Sequence, residues 1–110
     1  MYKAPEYLYD VREAKPREIK GTDWTFDWQK EFEADRIVYK LMNQEKEIVG
    51  LISMEDREEY IYVSIIERQQ KFKGHGITPY LFSIASLWSN YLGYNSGFMF
   101  HSKTHLIEYY

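Results

Sequence analysis

An α+β fold, with a mixed, mainly antiparallel sheet flanked by helices, follows from three features of this sequence. Two β-branched runs, 36–42 (RIVYKLM) and 47–54 (EIVGLISM), enclose a polar turn at 43–46. A third run, 60–66 (YIYVSII), alternates. Beyond it the hydrophobic period changes from two to that of a helix, before another short apolar run appears. Strands that precede a helix and are followed by a further strand suit a layered sheet better than a helical bundle. A chain of 110 residues has room for one modest core, so 1–110 reads as a single domain. Within it, 1–21 reads as an N-terminal arm and linker and 22–110 as the core.

Tyr7, Tyr9 and Val11 alternate with Leu8 and Asp10, which predicts a short extended segment at a sheet edge. Pro16 and a run of charges make 13–21 a loop. Trp24, Trp28 and Phe32 recur every four residues, so a short amphipathic helix is expected over 23–34 with Asp23 as its N-cap. The two β-branched runs form a hairpin. In 60–66, strict alternation puts Ile61, Val63 and Ile65 on one face and Tyr60, Tyr62, Ser64 and Ile66 on the other. Leu81, Ile84, Ala85, Trp88 and Leu92 follow helical spacing, with Thr78-Pro79 as cap and first helical residue and Gly93 at the end. Residues 98–101 read as a short strand and 104–110 as the start of a helix.

Composition excludes several functional classes. Eleven Tyr, six Phe and three Trp supply ample surface to bury, so the chain should fold. Its formal charge of −3 gives no overall attraction to nucleic acid or anionic membrane. The helical spacing of Trp24, Trp28 and Phe32 favours packing over base stacking, which makes nucleic acid an improbable partner. Without cysteine there is no disulfide, thiolate nucleophile or Cys-based zinc site. No apolar run reaches spanning length and the start lacks a signal-peptide pattern, so a cytoplasmic protein without a membrane partner is expected. His101 and His105 are four apart, but a strand-to-helix passage separates them and no third ligand is evident, so no metal is expected.

The segment between the central strand and the long helix carries the chemistry. It is basic, with Arg68, Lys71 and Lys73, and contains Gly74 and Gly76 around His75. Glycine lets backbone amides approach an anion, and a helix N-terminus points further amides and a favourable dipole at the same place. From the residues alone, the segment is either a phosphate cradle or an ordinary strand-to-helix turn. It is not a P-loop, because no Lys-Ser or Lys-Thr pair follows the last glycine, and it lacks the third glycine of a dinucleotide fingerprint. His75 can donate to a phosphate or face solvent.

With its flanks, this segment resembles the GNAT superfamily of N-acetyltransferases, over residues 37–110. That family places an acceptor loop of pattern Arg/Gln-x-x-Gly-x-Gly/Ala between a strand and a helix with an early leucine. Laid on that pattern, Lys73 stands for Arg or Gln, Gly76 is the first glycine, Thr78 stands for the final Gly or Ala, and Leu81 is the leucine. Val49-Gly50-Leu51-Ile52 resembles the second strand of the family's hairpin. The resemblance implies an acyl-coenzyme A-dependent N-acyltransferase with acetyl-CoA as cofactor. It implies binding through Lys71, Lys73, Gly74, His75, Gly76, Ile77 and Thr78, with pantetheine against the backbone of Ile65 and Ile66.

The implied reaction is direct attack of an amine, on a small molecule or a protein, upon a thioester. It needs a group to take the amine's proton and one to protonate the leaving thiolate. The resemblance puts Tyr110, or its neighbour Tyr109, in the acid's place, against the alternative that either merely packs. Glu67 at the end of the central strand is a candidate base, against the alternative of a solvated surface carboxylate. Relative to the family, the chain reads as truncated at both ends, lacking the longer N-terminal helices and two last strands. It is then a minimal enzyme, a protein whose site another chain completes, or a non-catalytic coenzyme A-binding or regulatory module. An exposed sheet edge would favour a homodimer.

Overall fold

A computed structural model describes residues 9–19, 23–94 and 98–100. The expected helix over 104–110, with Tyr109 and Tyr110, lies outside the described residues, as do His101 and His105.

The described strands form one sheet in the order β1 (Asp10–Glu13), β2 (Ile37–Met42), β3 (Ile48–Asp56), β4 (Ile61–Arg68) and β5 (Phe98–Phe100). The first four pair antiparallel with their sequence neighbours, and β5 joins β4 in parallel. The mixed, mainly antiparallel sheet is therefore as the sequence predicts. The hairpin turn is held locally: the Asn43 side-chain oxygen accepts from the amides of Glu45 and Glu47, an Asx-type closure. The 13–21 loop contains a 3-10 turn, Pro16–Glu18. Flanked by buried Ala14 and Ile19, it is tied to the sheet by Glu18, which accepts from Lys40 of β2.

The two faces of the sheet carry different layers. One face of β2, β3 and β4 (Leu41, Ile52, Met54, Ile61, Val63, Ile66) packs against α2 (Ile77–Leu92) through Ile77, Leu81, Ile84 and Ala85. The other face (Val38, Leu51, Ile65) is covered by Ala14, Ile19, Trp24 and Trp28. Gly50 of β3 permits the first packing. A Cβ there would meet the Ile77 and Leu81 side chains, each at 2.9 Å.

Two sequence-based boundaries and one strand face differ from expectation. The first helix, α1, is only Trp28–Glu33, capped by Asp27 accepting from the Lys30 amide at 3.4 Å. Asp23 does not cap it, because the Thr25 and Phe26 amides donate to the Glu67 carboxylate instead of entering a helix. In the central strand, Ser53 pairs with Ile65 and Met54 with Val63, leaving Ser64 in a bulge. An extra residue reverses the alternation: Ile61, Val63 and Ile66 share the α2 face, and Ile65 turns to the opposite one. Finally, α2 begins at Ile77, so Thr78 and Pro79 are its second and third residues. Its end matches expectation, with Gly93 left-handed (φ 82°) as C-cap.

Among the described residues no helix is long and apolar enough to cross a membrane, and no group of acidic or imidazole side chains could hold a metal ion.

Candidate functional site

The site forms where β4 runs out of a partner. β5 pairs with Ile61, Tyr62 and Val63. From Ser64 to Arg68, the β4 edge on that side has no strand partner among the described residues. The Ile65 and Ile66 side chains are buried in the two opposite cores. What this stretch offers to a ligand is its backbone.

Beyond Arg68 the chain is pinned before it turns. The Gln69 amide donates to Val49 O at 3.0 Å and its side-chain nitrogen to Ile48 O at 3.0 Å, fixing the loop to β3. A 3-10 turn, Gln70–Phe72, follows. Then Gly74 (φ 87°) and Gly76 (φ 75°) take left-handed conformations, and Gly76 is the N-cap of α2. Any other residue would be strained at either position. Neither glycine has an atom within 4 Å of where a Cβ would stand, so open space lies over both.

A cavity of about 210 Å³ opens there, lined by Arg68, Lys73, Gly74, Gly76, Ile77, Thr78 and Pro79. The amides at the start of α2 have no partner within the helix, and the helix dipole makes this end positive. Pro79 has no amide to offer, leaving Ile77 and Thr78 as the donors of the first turn. The Ile77 side chain is buried in the core, so it contributes backbone alone. Lys73 makes no ion pair among the described residues and lines the cavity. An open, cationic cavity with convergent amides and no Cβ over its glycines fits a phosphate or pyrophosphate.

The other expected binding residues divide. The Lys71 ammonium is turned to Glu47 on the hairpin turn, 3.0 Å away. The His75 ring packs edge-on against Phe72 at 5.7 Å and lines a separate hollow with Tyr9 and Val49. His75 thus belongs to the loop without its ring lining the Lys73 cavity. Because α2 begins at Ile77, the Arg/Gln-x-x-Gly-x-Gly/Ala pattern fits two residues earlier than the sequence placed it. Lys71 takes the first position and Gly74 and Gly76 take both glycines. Thr78 is then no departure from the pattern.

Glu67 is neither solvated nor open to a substrate. It is 4% exposed and accepts from Thr25 N at 2.6 Å, Phe26 N at 3.2 Å and Trp28 Nε1 at 2.8 Å. The bulge at Ser64 puts Glu67 on the same face as Ile65, under the 24–28 segment. This carboxylate holds that segment against β4, and the segment lines a hollow of about 270 Å³ with Ile19 and Gln29. Gln69 and the clamp around Glu67 had no signal in the sequence, since their partners lie about twenty and forty residues away.

No protein-family model matches the chain, and no curated protein matches it in sequence. Among solved structures it is similar to a GNAT family acetyltransferase from Elizabethkingia anophelis with acetyl-CoA bound. The TM-score is 0.64 at 14% identity, covering 79% of this chain and 61% of that one. The chain thus spans less than two-thirds of that protein's length. At this identity the likeness concerns architecture: the chain has the α+β fold of the acyl-CoA N-acyltransferases.

Proposed function

We propose that this protein binds an acyl-coenzyme A, acetyl-CoA in the first instance, and transfers its acyl group to an amine on a small molecule or a protein. The observation that carries the proposal is the junction of β4 with α2. A strand edge with no partner beyond Val63 among the described residues leads into a cationic cavity lined by left-handed glycines and the start of α2. A pyrophosphate at Lys73, Gly74 and Gly76 would align an extended pantetheine with the free β4 edge at Ile65 and Ile66. The acetyl-CoA thioester would supply the activated acyl carbon. Attack by the amine forms the N–C bond and breaks the C–S bond; the nitrogen loses a proton and the thiolate gains one. Tyr110, with Tyr109 as its neighbouring alternative, is the proposed proton donor. Glu67, whose oxygens already accept three donors, is proposed to position the 24–28 segment rather than to take the proton.

Isothermal calorimetry with acetyl-CoA tests the reading. Binding is expected, with Lys73→Glu weakening it about tenfold, the worth of a lost charge-assisted contact. No heat of binding at millimolar ligand would sink it. The occupied state of Glu67 favours a second reading, in which the fold binds coenzyme A as a regulatory module without turnover. Acetylation of any member of an amine panel at an enzyme-like rate, lost in the Tyr109→Phe/Tyr110→Phe double variant, rejects that second reading.

A further inference from the structure

The first cation of the glycine loop is committed within the chain. The Lys71 ammonium lies 3.0 Å from the Glu47 carboxylate on the hairpin turn and 5.3 Å from the centre of the Phe72 ring. Lys71 holds the first position of the loop pattern, yet it does not line the Lys73 cavity.

The two partners differ in freedom. Glu47 is fixed by the turn that closes the hairpin. Its Oε1 accepts from Asn43 Nδ2 at 3.0 Å, and Asn43 Oδ1 accepts in turn from the amides of Glu45 and Glu47 at 3.0 and 2.9 Å. The root of the loop is fixed too, because the Gln69 amide donates to Val49 O and its side-chain nitrogen to Ile48 O. Between these anchors the Lys71 side chain is 61% exposed. Its flexible four-carbon stem lets the ammonium turn from Glu47 without moving either anchor.

An exposed ion pair contributes little to stability. A pyrophosphate carries more negative charge than one carboxylate, and lysine meets it as a point charge with no demand on geometry. Such an anion in the Lys73 cavity therefore draws Lys71 away from Glu47. The contact to Glu47 is lost in the exchange, and the carboxylate, held by Asn43, stays behind. We infer that Glu47 is a built-in competitor for Lys71, an autoinhibitory contact that lowers the affinity of the loop for pyrophosphate and so eases its release. The inference rests on the reading of the Lys73 cavity as a phosphate site.

Calorimetry of the full chain with inorganic pyrophosphate and with acetyl-CoA, at ~20 mM salt where exposed charges are least screened, tests it through a double-mutant cycle. Glu47→Gln removes the charge and keeps an oxygen for Asn43, so the circular dichroism spectrum should be unchanged. That variant should bind pyrophosphate about threefold more tightly than wild type, the scale of an exposed ion pair. Lys71→Met should weaken binding about tenfold in the Glu47→Gln background but only about threefold where Glu47 is present. Glu47→Gln should then gain nothing in a chain that already carries Lys71→Met. A gain that persists there would mean that Glu47 acts on the anion directly. Binding unchanged or weakened by Glu47→Gln would make the pair a brace for the loop. Either result overturns the inference and leaves the proposed function standing if wild type binds acetyl-CoA. If wild type and variants bind neither ligand at millimolar concentration, the cavity is no phosphate site and both fall.

Discussion

Glu67 joins β4 to the segment that covers the far face of the sheet, and its environment decides what it can do. Two backbone amides and the Trp28 indole converge on its two oxygens at 2.6–3.2 Å. Removing the carboxylate leaves three donors unsatisfied, two of them in backbone that cannot turn away. Glu67→Ala is therefore expected to destabilise the fold by about 3 kcal/mol or more, read as a fall in the denaturant midpoint with tryptophan fluorescence as probe. A solvent-facing base would leave stability almost unchanged when replaced, and that outcome would remove the clamp. The contrast with Lys73-Gly74-His75-Gly76 shows what the sequence could reveal at this scale. A turn made by adjacent residues is legible because glycine chemistry is local. The three donors to Glu67 lie some forty residues away in sequence, and nothing in 23–28 announces that its amides are committed elsewhere.

At the scale of elements, the position of α2 sets the site, and Gly50 sets the position of α2. With Ile77 and Leu81 methyl groups 2.9 Å from where a Cβ would stand, even alanine must displace two fully buried side chains, and a larger residue must move the helix start itself. Gly50→Val is expected to cost about 2–3 kcal/mol, within the range for an overpacked core. Under the proposed function it should also weaken acetyl-CoA binding, because Gly76, Ile77 and Thr78 move with the helix. Thermal melts and calorimetry on the same sample check both, and a variant with unaltered stability would contradict the close packing. The hairpin, the existence of α2 and its end at Gly93 were legible because each rests on a periodicity or a left-handed glycine. The face of Ile65 was not, since a bulge at Ser64 inserts one residue without changing composition. The start of α1 was obscured similarly, because Trp24 and Trp28 are both buried although only Trp28 is helical.

For the molecule as a whole, three carboxylates tie separate parts of the chain together, which fixes the direction of its pH dependence. Glu18, hydrogen-bonded by Lys40, anchors the 3-10 turn to β2 and is held below its ordinary value of 4.5. Glu47, hydrogen-bonded first by Asn43 and then by Lys71, links the hairpin turn to the glycine loop before α2 and is lowered likewise. Asp56 is lowered from 3.8 by the Tyr94 hydroxyl and the Glu58 amide, and it joins the end of β3 to the segment after α2. Each group binds its proton less readily folded than unfolded. The stability it contributes is therefore present above the unfolded value and lost as pH falls through the folded one. Tyr94 works in the other direction. Its hydrogen bond to Asp56 pushes it up from 10.0 to about 12, so its contribution is full below pH 10 and lost as pH rises through about 12. All four groups stand close to solvent, so each contribution is small and screened by salt. The melting temperature should hold steady through neutrality, decline below about pH 4.5 and decline again above pH 10. Tyr94→Phe should flatten the alkaline decline and soften the acid one, because Asp56 then loses the first of its two donors. Melts followed by circular dichroism from pH 3 to 11 check this. A melting temperature unchanged down to pH 3 would mean that these ties do not hold the folded chain together, and the acid decline should be shallower in 1 M salt.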